Sequence, residues 1–386
     1  MRELLTAILR GEATEWPAAR PDAELRFLES ALYHGVEPLV AWRLRGVGAF
    51  ERWPATIRTG LRSAAARQAM VEELLHDELS DILMRLAETG IHPLVMKGAG
   101  LAYTHYVHPC LRPRSDTDLL IRAADTIAAI RVLESRGYAR PNRTSGELVS
   151  YQSPFVKTDR HGVRHVYDLH WKIANPQLFA DFLLFDELEA DAIPVVALGT
   201  HARTLGHVHA LLLACVHRVA HHHDADQLIW LYDIHLLASG IDQRQAHEFA
   251  RWAADKRVAA ICAASVARAQ QEFNTGLDVE LLDKLRATGD EPSRGYLRHR
   301  RRQVEILASD LGALPRWRSR LQLLRELAFP PAPYMLDTYG VSSLALLPPL
   351  YIHRLVRGIG RWCRNGVLGS RDADAKVAGR AEIDEA

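Results

Sequence analysis

Lysine is scarce in this 386-residue chain: of 48 basic residues only six are lysine, the rest being arginine. Arginine dominance beside abundant alanine reflects a GC-rich coding bias, so single arginines carry little functional information. A lysine set inside a glycine turn stands out against that background. Cysteine is scarce too. Cys110, Cys215, Cys262 and Cys363 are scattered without a CxxC pair, which excludes a thiolate zinc site and a disulfide scaffold and fits a reducing cytosol. No apolar run reaches the roughly 18 residues that a membrane span needs. The start, Met1-Arg2-Glu3-Leu4-Leu5, lacks the apolar core of a secretion signal, and a soluble cytoplasmic protein is expected. With a net charge of +1 there is no global pull toward nucleic acid or anionic membrane.

What is present is enough apolar residue, 48% of the chain, for one or two sizeable cores. Residues 1–90 read as an N-terminal helical region, with apolar residues three and four apart in 25–32, 37–44 and 57–86. Between 91 and 200 short apolar runs alternate with helical ones. Strands are predicted at 94–96, 118–121, 155–157 and 163–171, and helices at 101–106 and 125–136. Gly137 closes the second of these helices. This is a small α/β unit with a mixed sheet. Residues 201–365 return to helical patterning, with segments at 207–220, 227–239 and an alanine-rich 247–273. A small, charged tail at 366–386 is expected to be disordered. The fold class is therefore α+β, a small mixed sheet flanked by helices on both chain sides.

Asp116-Thr117-Asp118, heading the apolar run Leu119-Leu120-Ile121, carries the chemistry. Side chains two apart in a strand share a face, so the two carboxylates project together at the mouth of a sheet. Such a pair is costly to keep ionised without a cation, and a divalent metal, Mg²⁺, arriving with substrate phosphates answers that cost. A solvated turn is the plain alternative. Two further features weigh against it. Lys97-Gly98-Ala99-Gly100 is a glycine-rich turn leading into a helix, where backbone N–H groups favour a phosphate. In Val163-Arg164-His165-Val166-Tyr167-Asp168-Leu169-His170-Trp171, Asp168 and His170 share one strand face, while Tyr167, Leu169 and Trp171 pack on the other. Three inward acids beside a glycine turn suit a two-metal phosphoryl or nucleotidyl transfer site.

The ordered set Lys97-Gly98, Arg112-Pro113, Asp116, Asp118, then Asp168-Leu169-His170-Trp171 resembles the uncharacterised bacterial nucleotidyltransferase-like proteins of the DNA polymerase β-type superfamily. The resemblance extends over most of residues 20–360 and includes His217 and Trp230-Leu231-Tyr232-Asp233. It implies an enzyme that moves an NMP from an NTP such as ATP to an acceptor hydroxyl and releases pyrophosphate. Asp116, Asp118 and Asp168 would be the catalytic and metal-binding acids, with two Mg²⁺ ions. Lys97, Gly98, Ala99, Gly100, Arg112 and Ser115 would bind the nucleotide. His170 would orient Asp168 or touch the acceptor, and His217 and Asp233 would stand near the substrate. The wider superfamily usually carries Gly-Gly or Gly-Ser in the turn, and Ala99 lacks that hydroxyl. A nucleotide-binding protein with a degenerate site therefore stays open.

A rival enzyme comes from His217, His221, His222, His223 and Asp224. A His-Asp pair with further histidines is the pattern of HD-type metal phosphohydrolases, with Asp233 as one more ligand and His209 as the distant histidine. The plain alternative is a helix end, where imidazoles meet the negative end of the dipole. Arg298, Arg300, Arg301 and Arg302 form a basic cluster that most simply is a solvated face. At 352–364, Ile352, Leu355, Val356, Ile359 and Trp362 alternate with Arg354, Arg357, Arg361 and Arg364. That helix either closes a core or makes peripheral contact with an anionic membrane. The acceptor, the nucleotide and the oligomeric state are not written in these motifs.

Overall fold

The computed structural model describes residues 1–17, 22–141, 146–221, 225–276, 279–287, 291–297 and 303–367. The chain divides into two compact units, Met1–Pro141 with Tyr151–His299, and Asn142–Ser150 with Arg300–Ala386.

The first unit is built around one six-stranded mixed sheet. Its strands are β1 (Leu94–Met96), β2 (Thr117–Leu120), β3 (Gln152–Thr158), β4 (Arg164–His170), β5 (Ile193–Pro194) and β6 (Arg203–Thr204), in the spatial order β3-β4-β2-β1-β6-β5. β1 runs antiparallel to β2 and parallel to β6, and β2 runs parallel to β4. Alternation along these strands sorts the two faces. Val95, Leu119, Phe155, Tyr167 and Leu169 point into a core that also holds Leu79, Leu83 and Leu86 of the helix Ala55–Glu88 and Leu133 of the helix Thr126–Ser135. Leu94, Met96 and Leu120 point the other way, into a larger core shared with Phe27, Leu39, Trp53, Leu211, Leu231 and Phe249. The sheet thus has helices on both faces, and its polar residues gather where the second core leaves room.

Most predicted elements are found within a residue or two, with informative differences. The single alanine-rich helix expected over 247–273 is two helices, Gln243–Asp255 and Ala259–Phe273. The break falls at Arg257, whose φ of +56° is left-handed, and burial of Val258 holds the turn. No glycine or proline marks it. β3 starts at Gln152 rather than at 155. Pro154 lies within it, and β3 is an edge strand, the place in a sheet that tolerates a residue without an N–H. β5 and β6 are two residues each, too short for an alternating pattern to show.

Several sequence features lie outside the described residues: His222, His223 and Asp224, the basic cluster at 298–302, the centre of the polar loop at 142–145, and the tail beyond 367. Among the described residues, no helix is long and apolar enough to cross a membrane.

Candidate active site

The strand register assembles the site. In the parallel pair β2–β4, Asp118 lies opposite Asp168, and in β1–β2, Asp118 lies opposite Met96. Paired residues of adjacent strands share a face, so both carboxylates leave the sheet on the same side. Lys97 follows Met96 directly and begins the helix Lys97–Thr104. Its φ of +52° is a left-handed conformation that a side-chain-bearing residue adopts at a cost of about 1 kcal/mol or more. The result is an ammonium 2.6 Å from Asp118 Oδ1. The same oxygen receives His170 Nε2 at 2.8 Å. Gln152, opposite His170 on β3, donates its amide to Asp168 Oδ2 at 2.9 Å. Gln152 is held in turn by Asn175, which donates to its carbonyl oxygen at 3.2 Å and accepts from the Tyr151 backbone N–H at 2.9 Å.

Electrostatics divides the acids. Burial, then the neighbouring charges of Asp118 and Asp168, push the Asp116 carboxyl up to about 6. Burial acts on Asp118 in the same sense, but Lys97 and the hydrogen bond from His170 outweigh it and hold that group well below the usual carboxylate range. The site therefore contains more negative charge than its own cations neutralise. Asp116 accepts no hydrogen bond from the described residues.

Asp118, Asp168 and His170 each offer a ligand atom, all within 4.8 Å of one another. Two hard carboxylates with a third beside them fit a divalent cation. His170 already spends its Nε2 on Asp118, so its fit is as the partner that orients this carboxylate.

A cavity of about 490 Å³ opens over these groups, lined by Lys97, Gly98, Arg112, Ser115, Asp116, Asp118, Asp168 and Gln152 on one side. His217, His221, Trp230 and Asp233 of the helical region line the other. Lys97–Gly100, expected as a turn ahead of a helix at 101, form the first turn of the helix itself, and their roles separate. Lys97 and Gly98 line the cavity, Ala99 belongs to the apolar core, and Gly100 lets the helix close onto β6. A Cβ at Gly100 would lie 2.4 Å from Thr204 Oγ1 and 2.8 Å from the Val95 carbonyl. At Gly98 it would meet the Arg112 guanidinium at 3.3 Å.

Arg112, expected at the nucleotide, is buried and forked onto Asp233. Its Nε donates to Oδ1 at 2.9 Å and its terminal nitrogen to Oδ2 at 2.7 Å. The Tyr106 hydroxyl completes the group at 2.8 Å from Asp233 Oδ1. Asp233 therefore clasps the helix Leu228–Ser239 to the loop before the acid pair, with both oxygens engaged. His217 and His221 stack at 5.1 Å in the last turn and cap of the helix His207–Ala220. Among the described residues neither joins a metal-binding group. Trp171 is half-buried and outside both cores.

Three residues of the neighbourhood had no sequence signal. Gln152 was hidden by Pro154. Arg114, next to the Arg112-Pro113 pair, lines the cavity and pairs at 2.5 Å with buried Glu72, which also accepts from Tyr103 at 2.6 Å. Glu72 sits mid-helix among many polar residues, and nothing in its surroundings marks it as buried.

Paired carboxylates on adjacent strands, a lysine at the head of the helix after β1 and a cavity over both define a nucleotidyltransferase-like domain. The chain belongs to an uncharacterised nucleotidyltransferase family, whose pattern it matches over residues 22–274. That span contains every site residue named above. No curated protein is similar enough to count as a match.

Proposed function

We propose that this protein is a Mg²⁺-dependent nucleotidyltransferase that moves an NMP from an NTP to an acceptor hydroxyl, releasing pyrophosphate. One observation carries the reading: Asp116, Asp118 and Asp168 converge on the cavity, where burial and then the charges of the other two acids push the Asp116 carboxyl up to about 6. Asp116, Asp118 and Asp168 would hold the cation, which when bound screens the triphosphate and withdraws charge from the α-phosphoryl group. Lys97 keeps Asp118 ionised and brings positive charge to the helix N-terminus, where phosphates are favoured. Gly98 leaves its backbone open to the cavity. Asp168, held by Gln152, is placed to take the proton of the acceptor hydroxyl as that oxygen attacks phosphorus. His170 fixes the orientation of Asp118.

Calorimetry of ATP, GTP, CTP and UTP, with and without Mg²⁺, tests this on wild type beside Asp116→Asn/Asp118→Asn. Metal-dependent binding that the double variant loses is the expected result. Equal binding by both proteins, or by neither, would overturn the assignment. Ala99 gives the turn no hydroxyl for the triphosphate, which favours a second reading as a nucleotide-binding protein. Tight binding without pyrophosphate release in any acceptor mixture would select it.

A further inference from the structure

The C-terminal unit has a surface unlike the rest of the chain. Among the described residues, eleven of the twenty-two exposed large apolar side chains fall between 304 and 356. In the same stretch only Leu314, Leu323, Pro330 and Met335 are buried. A unit that leaves nearly half of its large apolar side chains in water is incomplete by itself, because contiguous exposed apolar surface marks an interaction site.

The helix Leu347–Val367 shows what that surface is for. Ile352, Leu355 and Val356, at three- and four-residue spacing, form one stripe and are 63%, 36% and 64% exposed. Arg354 and Arg357 lie on the opposite side, Arg354 over the ring of Tyr334 at 5.7 Å. A second stripe, Trp317 and Leu321, is exposed on the helix Trp317–Ala328. Charge selects the occupant. Between Asp337 and Asp372 the sequence has no acidic residue and five arginines. The near-zero net charge of the whole chain conceals this local excess.

We infer that the C-terminal unit docks on an anionic lipid surface, with the Ile352–Leu355–Val356 stripe set among the acyl chains and the arginines at the headgroups. An amphipathic helix with arginines on its polar side and too little apolar length to span has this physical preference. The arginines would add affinity only for anionic headgroups, each by about a factor of five.

Flotation of the full-length protein with vesicles of phosphatidylcholine, alone or with phosphatidylglycerol added, is the test. The protein is expected to float with the anionic vesicles and to release as salt rises. Arg354→Gln/Arg357→Gln should weaken binding roughly thirty-fold, and Ile352→Asp/Val356→Asp should abolish it. All four positions are outside the acid site, so helical content by circular dichroism and NTP binding should match wild type and report an intact fold. Failure of wild type to float overturns the proposal. So does flotation of the Asp variant at the wild-type level. A dimer in light scattering that the Asp variant dissociates, without lipid partition, would assign the stripe to a second copy of the chain and overturn it equally.

Discussion

Two clusters of charge face the same cavity and are built on opposite terms. On the wall, Arg112, Asp233 and Tyr106 form a closed set in which both carboxylate oxygens are hydrogen-bonded and the guanidinium is forked. On the floor, Asp116, Asp118 and Asp168 share one lysine and one histidine, and their mutual repulsion is left in place. The wall is a clasp whose charges are spent on each other. The floor leaves its charge unspent, and perturbed carboxyls of this kind are more frequent at functional sites than in structural ion pairs.

Breaking the clasp should produce the largest effect. Asp233→Ala leaves the Arg112 charge buried and unpaired, and should cost about 3–5 kcal/mol in urea unfolding. Arg112→Met/Asp233→Leu, which removes both charges, should recover most of that loss. If the double variant is stable and still binds NTP normally, Arg112 belongs wholly to the wall. Lost NTP binding in that stable protein would return Arg112 to the nucleotide. Lys97→Met should come next. It removes a charge-assisted bond worth about 1.5–3 kcal/mol, lets the Asp118 carboxyl rise, and should reduce Mg²⁺-NTP affinity by roughly ten- to a hundred-fold in calorimetry.

A third effect concerns imidazoles that burial keeps neutral. His34, His105 and His235 are each lowered to about 4, in every case first by burial and then by a neighbouring positive charge or histidine. In the unfolded chain they protonate near pH 6.5. Their contribution to stability is therefore intact above that pH and is lost as pH falls from about 6.5 to about 4. Thermal midpoints measured across this window should drop, and His105→Gln with His235→Gln should flatten the slope. The smallest effect has the opposite sign. Asp116→Asn relieves repulsion on the floor, so the metal-free protein should melt about 2–4 °C higher, and adding Mg²⁺ should erase or reverse the advantage. A destabilised Asn variant would show that the floor is not frustrated.

The floor was legible in the sequence because strand alternation is a strict rule. Once 163–171 is a strand, Asp168 and His170 must share a face, and the pairing of β2 with β4 brings Asp118 beside them. The wall was not legible, because nothing local joins Arg112 to Asp233 across more than a hundred residues. Asp233 stands out in the sequence for its neighbours, but nothing there points to its partner. Gln152 was lost for a third reason: Pro154 forbids a central strand but not an edge strand, and only the finished sheet shows which one it is. The break at Arg257 was hidden because an arginine carries no mark of a left-handed turn.

The pairing of Asp118 with Asp168 has a further consequence, for folding. The two strands are separated by a long stretch of chain and must find each other in parallel, without a hairpin to set their alignment. A slip of one residue would turn Asp168 and His170 into the apolar layer occupied by Phe155, Tyr167 and Leu169. A misaligned sheet would then bury a carboxylate and an imidazole with nothing to bond them, so it would be penalised before any substrate arrived. The residues proposed to handle phosphate thereby also proofread the register of the sheet, and a chain that folds has already checked the alignment of its candidate site.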